Sequence, residues 1–236
     1  MDPDNANRVQ WLLEHRHSSR APYDPAWRVT DAELERIVEA ARWAPTAHNM
    51  QNFRLVVVDD RDVLDRLGKI RSTVSATFIA ENYRQLSWSP EQLAERKTGI
   101  LGTTFPATWR TDDPAQVPTH ESRLLAEVIA GAPTLIIALF DPTKRAPASE
   151  GDVLGMISLG CVLENIWLAA HVSHLDVQVV SAFSGDGAES EIRRVLDVPE
   201  PWRVAFALRV GHAVGPTNQP RVRRLPADFV GRNRFL

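Results

Sequence analysis

Cysteine and long apolar runs are scarce in this chain of 236 residues. Cys161 is the only cysteine, so no internal disulfide can form. It lies in an apolar run, where a thiol usually behaves as a small buried hydrophobe rather than as a nucleophile. The longest uninterrupted apolar stretch, roughly 132–140, is too short to cross a bilayer, and residues 1–10 lack the apolar core of a signal peptide. We therefore expect a cytoplasmic protein without a membrane partner.

An excess of positive charge is also absent. Lysine and arginine number 27 against 30 acidic residues, which gives a net charge of −3, whereas nucleic-acid-binding domains are usually basic. The sequence contains neither the Gly-x-Ser-x-Gly elbow of hydrolases nor a glycine-rich phosphate loop followed by Lys-Ser/Thr. His171, His174 and Asp176 are close in sequence, but we interpret them as helix-end residues rather than as metal ligands. Neither a nucleic-acid partner nor a metal site is predicted.

The sequence does contain an alternation of helical and strand patterns. Thr30 followed by Glu33 forms a capping box, and apolar residues at helical spacing continue from there until Pro45. Short apolar runs near 55–58, 134–140, 177–180 and 204–210 predict strands. Strands that alternate with helices predict a layered domain that mixes helices with a sheet.

Three other regions have a distinct character. Residues 156–170 are apolar nearly all round, so a helix there must be buried at the centre of the molecule or in a subunit interface. Residues 72–120 are the least regular and are interpreted as an insertion or lid. The polar residues from about 212 to 236 are expected to form an extended arm. The aromatic residues of the irregular region are either core residues or lid residues that stack on a substrate; they are Trp88, Phe105 and Trp109.

A basic stretch follows the first predicted helix. Residues 16–20 read Arg-His-Ser-Ser-Arg. Two arginines and two hydroxyls within five residues can present several charge-assisted hydrogen-bond donors to one anion. The alternative is a basic helix end that interacts with the dipole of its own helix.

Two further stretches complete the pattern. Residues 44–53 read Ala-Pro-Thr-Ala-His-Asn-Met-Gln-Asn-Phe, which by itself is a helix stop. Residues 223–226 read Arg-Arg-Leu-Pro within a basic region that is otherwise a solvated tail.

At this order and spacing the stretches resemble the nitroreductase family of FMN enzymes. Residues 16–20 match the family pattern Arg-(Arg/His)-Ser-x-(Arg/Lys) at every defined position. Residues 44–53 resemble Ala-Pro-Ser-x-x-Asn-x-Gln-Pro-(Trp/Phe), with Thr46 in place of serine and Asn52 in place of the second proline. Glu164 and Asn165 stand where the family has Gln-Asn before an apolar run, so a glutamate replaces the usual glutamine.

The resemblance implies how FMN would be bound. Arg16 and Ser18 would hold the phosphate and ribityl region, and Arg20 would reach the pyrimidine side of the flavin. Arg224, or else Arg223, would clamp the phosphate from the other end of the chain. The turn after Pro45 would contact the flavin of the partner subunit, and a backbone N–H near 181–182 would face flavin N5, a contact that does not depend on side-chain identity. The implied cofactor-binding residues are Arg16, His17, Ser18, Arg20, Pro45, Thr46, Ala47, Asn49, Val180, Ser181, Ala182, Arg223 and Arg224.

The resemblance also implies a fold and an activity. The fold would be α+β, a three-layer α/β/α sandwich with a mainly antiparallel central sheet, in an intertwined homodimer. Residues 1–236 would form one FMN-binding domain, with the insertion at about 72–120 and the arm at about 212–236.

The implied activity is hydride transfer from NADH or NADPH through flavin N5 to a small electrophile such as a nitroaromatic or quinone. Kinetics would be ping-pong, and no side-chain acid or nucleophile would be required. Two alternatives stay open. One is a specialised branch that performs reductive dehalogenation or oxidative tailoring of a biosynthetic intermediate. The other is a non-catalytic flavin carrier or sensor.

Overall fold

The structure is a computed structural model. It describes residues 3–70, 72–73, 81, 86–104, 121–122, 129, 131–180, 187–215 and 220–235. The chain divides into two compact units, residues 1–72 with 123–217 and residues 73–122 with 218–236. The helices of the described residues are α1 Pro3–His15, α2 Asp31–Arg42, α3 Arg61–Gly68, α4 Pro90–Arg96, α5 Val153–Val172 and α6 Ala188–Val195. The strands are β1 Arg54–Val58, β2 Ser72–Thr73, β3 Ser87–Trp88, β4 Ile100–Leu101, β5 Glu121–Ser122, β6 Thr134–Phe140, β7 Asp176–Val180 and β8 Arg203–Gly211.

A four-stranded sheet organises the first unit. Its strand order is β1-β6-β8-β7, and each neighbouring pair is antiparallel. The central strand β6 is buried along almost its whole length, and its pairing with β8 shifts register between Ala138 and Leu139. The four predicted strand segments are all strands of this sheet, within one or two residues of their expected ends.

Helices cover both faces of the sheet. Because side chains alternate along a strand, Leu135 and Ile137 face one hydrophobic cluster while Ile136 faces the other. The first cluster takes its helical residues from α3 and α6; these are Leu64, Leu67, Ala188, Ile192 and Val195. The second takes them from α2 and α5; these are Ile37, Ala41, Val162, Ile166, Trp167 and Ala170. The prediction of an α+β three-layer sandwich around an antiparallel sheet is confirmed.

The capping box predicted at the start of α2 is present. The Thr30 side chain accepts a hydrogen bond from the Glu33 N–H, and the Glu33 carboxylate accepts one from the Thr30 N–H at 2.8 Å. α2 therefore begins at Asp31, and it ends at Arg42, three residues before Pro45. This helix packs against α5 through its buried face.

α5 is apolar on more faces than this chain covers. One face packs on the sheet, but large apolar side chains elsewhere on the helix are exposed by about half; these are Val153, Met156, Ile157 and Val172, at 60%, 48%, 56% and 56%. Among the described residues, α5 is the helix long and apolar enough to cross a membrane. Core helices pass the same test, and α5 packs against a sheet, so its length and composition are weak evidence for a membrane span. The prediction of burial on all sides holds for one face only within a single chain.

The second unit contains most of the predicted insertion together with the end of the chain. Its strands β3 and β4 pair in parallel, and α4 begins with a second capping box between Ser89 and Gln92. The Arg96 guanidinium lies 4.1 Å from the centre of the Trp88 ring. Gly99 has a φ of 89°, and a Cβ there would collide with the Trp88 indole. Phe105 and Trp109 lie outside the described residues.

Candidate active site

Arg16 lies directly after α1 and is held against α5. Its Nε is 3.1 Å from Oε1 of Glu164, and its guanidinium carbon is 4.5 Å from the centre of the Trp167 ring. The Arg16 side chain is only 20% exposed. A guanidinium stacked on an indole and paired with a carboxylate loses much of its rotational freedom. The segment after α1 therefore presents an oriented, partly buried positive charge.

The backbone of His17 is fixed by the same indole. Trp167 Nε1 donates a hydrogen bond to the His17 carbonyl at 3.0 Å. The His17 ring is 3.6 Å, Nε2 to Oδ1, from Asp176 at the start of β7, and the other oxygen of Asp176 accepts from the Ala213 N–H at 2.9 Å. Residues 16 and 17 are thus attached to both α5 and the sheet.

Ser19 anchors the middle of the stretch while its neighbours remain accessible. Ser19 is fully buried, and its N–H donates to the Val177 carbonyl at 2.9 Å. Ser18 is half-buried and Arg20 is exposed. Desolvation lowers the pKa of Arg20, but the residue as a whole faces solvent, so it stays a cation.

Arg209, on β8, binds the backbone of this stretch, and no motif in the sequence predicts that role. It is a buried residue of β8, it donates to the Ala21 carbonyl at 2.8 Å, and it lies 4.1 Å from the centre of the Tyr23 ring. Burial lowers the pKa of Arg209 and raises that of Tyr23. A buried arginine that binds backbone carbonyls fixes the path of residues 19–23.

The second motif forms a tight, strained turn. His48, Asn49 and Gln51 have φ values of 50°, 52° and 47°, a backbone region that residues other than glycine occupy at some cost. Thr46 compensates, because its hydroxyl accepts from the Gln51 N–H at 3.1 Å. Pro45 and Asn49 are exposed. The threonine hydroxyl therefore stabilises the turn from within.

This turn is attached to α5, as Arg16 is. The Ala47 N–H donates to the Ser158 hydroxyl at 2.9 Å. Glu164 is six residues further along the helix, which corresponds to about 9 Å along its axis and roughly 120° around it. The two motifs thus meet α5 on different sides.

Asn52 has a structural role. It stands where the family pattern has proline, and its amide donates to the Asp141 carbonyl at 2.8 Å and to the Lys144 carbonyl at 3.2 Å. It thereby holds the loop after β6 beside the turn. A pocket lies there, and its wall includes Met50, Phe53, Phe140, Leu159, Lys144 and Asp152.

The remaining predicted residues have mixed positions. Val180 is buried at the end of β7, opposite Ala207, and Ser181 and Ala182 lie outside the described residues. Arg223 and Arg224 belong to the second unit, where they are exposed. They line a surface depression with Lys97 and Phe229, which places three cations around one concave patch.

Histidines surround the start of the motif. Trp11 stacks on His15 at 4.5 Å between ring centres, and His17 meets His171 edge-on at 5.8 Å. Desolvation, followed by the charges of neighbouring histidines, lowers the pKa of His171. Within the described ranges, no three potential ligands are grouped so as to hold a metal ion.

Comparison with known families decides the classification. A model of the nitroreductase family matches residues 13–212. The chain belongs to the nitroreductase family. The match begins just ahead of Arg16 and ends just after β8, so it spans the first motif, the turn and the whole sheet.

Individual relatives of this nitroreductase-family chain are distant in sequence. An NADPH-dependent oxidoreductase from Staphylococcus haemolyticus is 22% identical over 93% of this chain and 70% of its own length. An FMN-dependent nitroreductase from Clostridium difficile superposes with a TM-score of 0.58 at 19% identity and covers 95% of this chain and 98% of its own. A nitroreductase with bound FMN from Bacteroides fragilis gives 0.55 at 19% identity, over 88% and 89%. Both structures share the fold described above.

The lowered pKa of His171 generates a test of the histidine cluster in this nitroreductase-family chain. As the pH falls through about 6.5, the unfolded chain takes up a proton at this position before the folded chain does. Protonation therefore favours unfolding, and the loss of stability grows as the pH drops towards the lowered pKa. We expect the melting temperature of wild type, relative to His171→Asn, to fall between pH 7.5 and 5.5 in thermal melts.

His48→Asn serves as the control, because His48 lies on an exposed turn. Asparagine adopts the left-handed conformation of this position readily, so any difference in melting temperature between the variant and wild type should stay the same at each pH. A difference between wild type and His171→Asn that does not change with pH would contradict the interpretation.

Proposed function

We propose that this chain is an FMN-dependent oxidoreductase that takes hydride from NADH or NADPH and delivers it to a small electrophile such as a nitroaromatic or quinone. Family membership supports the class, and the relatives above carry names that include NADPH dependence and bound FMN. The observation that carries the proposal is the ordered Arg16 beside accessible Ser18 and Arg20. The cytoplasmic location expected from the sequence stays a prediction.

The residues after α1 fit a phosphate monoester. Within the described part of the chain, Arg16 Nε forms an ion pair with Glu164 but no hydrogen bond, and the face of the guanidinium stacks on Trp167. Two N–H-bearing nitrogens in a fixed fork match the geometry of phosphate oxygens. Ser18, two residues further along the chain and half-buried, carries a hydroxyl that can serve as a further donor.

FMN, when bound, supplies the hydride and electron-transfer chemistry. The chain's own residues bind it, orient it and stabilise charge. Arg16 and Ser18 would hold the phosphate end. Arg20 would place a positive charge beside the pyrimidine side, where negative charge develops, and such electrostatic stabilisation is effective when the charge is fixed in advance. No side-chain acid or nucleophile is needed, and one shared pocket for reductant and acceptor would give ping-pong kinetics.

We also propose a homodimer with the turn at 45–49 acting on the partner's flavin. Val153, Met156 and Ile157 are three and four residues apart on α5 and are exposed, so they form an apolar strip beside Ser158, to which the turn is attached. The two motifs meet α5 on different sides, which favours contact with flavins in two different sites.

The second unit is proposed to be the insertion and arm of a single family domain. Its role would be to select the acceptor, with Trp88, Phe105 and Trp109 as the candidate stacking residues. A basic residue of the arm, Arg224 or else Arg223, would contribute to phosphate binding.

The phosphate clamp is tested by removing two guanidinium groups. Each charge-assisted hydrogen bond contributes roughly 1.5–3 kcal/mol, so Arg16→Ala combined with Arg224→Ala should weaken FMN binding by at least about 100-fold. The purified double variant should be colourless in the flavin absorption band, whereas Cys161→Ser should stay yellow. Full FMN occupancy in the double variant would contradict the assignment.

Anaerobic reduction tests the reductase proposal against its alternatives. NADPH or NADH should bleach the flavin band of the yellow protein, and addition of a quinone or nitroaromatic should restore it. If dithionite bleaches the band but neither nicotinamide does, the proposal fails in favour of the specialised branch or the carrier or sensor.

The dimer is tested at Ile157. An aspartate there would place a charge in the proposed apolar interface, and burying an unpaired charge is costly. Light scattering should give twice the chain mass of 26.4 kDa for wild type and a value near one chain mass for Ile157→Asp. Ile157→Leu keeps the apolar surface and should remain dimeric. Equal masses for wild type and Ile157→Asp would contradict the proposed interface.

A further inference from the structure

Glu164 departs from the family pattern at a position that touches the proposed phosphate site. The pattern has a neutral glutamine there, and this chain places a carboxylate 3.1 Å from the Arg16 Nε. The Glu164 side chain is 38% exposed and that of Arg16 is 20% exposed. The ion pair is therefore partly desolvated, and its charges are screened less than those of a fully exposed pair.

Geometry brings this carboxylate close to any anion that Arg16 binds. The Nε of Arg16 lies beside Glu164 in an ion pair without a hydrogen bond. The terminal nitrogens would face the ligand, and hydrogen bonds to ionised groups are about 2.7–2.9 Å long. A phosphate on the terminal nitrogens would thus lie within about 8 Å of the Glu164 carboxylate, which is no more than one Debye length at physiological salt. A phosphate monoester carries nearly two negative charges near pH 7, so it and Glu164 repel each other.

Movement of the Glu164 side chain away from the phosphate would not remove the cost to FMN binding. In that case the Arg16–Glu164 pair must break when the phosphate binds, and the favourable contact of the ligand-free protein is lost. Both arrangements weaken binding, and both act on the phosphate rather than on the flavin ring.

We propose that Glu164 is a positioning residue that opposes the FMN phosphate through Arg16 and makes the cofactor dissociable. The inference rests on the proposed function, since it presupposes that Arg16 binds the phosphate of FMN. It assigns a role to a residue whose charge distinguishes this chain from the family pattern.

The test compares two flavins that differ by the phosphate. Flavin-stripped wild type and Glu164→Gln are titrated with FMN and with riboflavin, and binding is followed by quenching of flavin fluorescence. Glu164→Gln should bind FMN about tenfold more tightly, while its affinity for riboflavin should change less than about twofold. The FMN advantage should shrink between 50 and 500 mM salt, because salt screens the repulsion.

Two further variants control for size and folding. Glu164→Asp keeps the charge and should bind FMN within about threefold of wild type. Glu164→Ala removes the charge without introducing an amide and should share the gain in FMN affinity. Thermal melts of the ligand-free variants show whether each is folded.

Several outcomes overturn the proposal. Equal gains for FMN and riboflavin would show that Glu164 acts through shape, and unchanged or weaker FMN binding by Glu164→Gln and Glu164→Ala would show that it supports Arg16 instead. If wild type binds neither flavin, the proposed function fails and the inference fails with it. If wild type binds FMN and only the variants depart from expectation, the proposed function is retained and the role proposed for Glu164 is rejected.

Discussion

The contact between the residues after α1 and the core helix α5 organises the candidate site. Arg16 stacks on Trp167 and pairs with Glu164, while the Trp167 indole N–H binds the His17 carbonyl. These contacts join two segments about 150 residues apart in sequence. The two Trp167 contacts fix the guanidinium and the backbone of this short basic stretch, and a binding site for a phosphate requires donors that are fixed in advance.

α5 serves two purposes that compete for its surface. One face packs on the antiparallel sheet, and two different sides of the helix hold Arg16 and the turn at Ala47. The apolar strip at Val153, Met156 and Ile157 stays about half exposed in a single chain. Exposed apolar surface on a helix is often buried by a second chain. The composition of α5 is therefore one of the grounds for the proposed dimer.

The sequence predicts the regular parts of this structure well. Short apolar runs locate the four strands of the main sheet, and Thr30 marks the start of α2, because these features are local. The motif at 16–20 is also local and matches the family pattern. Arg209 and Trp167 give no comparable signal, since their partners are residues 188 and 150 positions away and arise only on folding.

The exposed face of α5 shows another limit of sequence reasoning. An apolar run predicts burial but does not say whether the cover comes from the same chain or from another. The glutamate at 164 is visible in the sequence as a departure from the family pattern, yet its contact with Arg16 is visible only in the fold.

A crystal structure of the protein with FMN bound tests the central claim most directly. We expect phosphate oxygens within about 3 Å of the Arg16 terminal nitrogens, with the turn at 45–49 of the partner subunit against the same flavin. A flavin phosphate held elsewhere, with Arg16 still engaged only by Glu164 and Trp167, would contradict it.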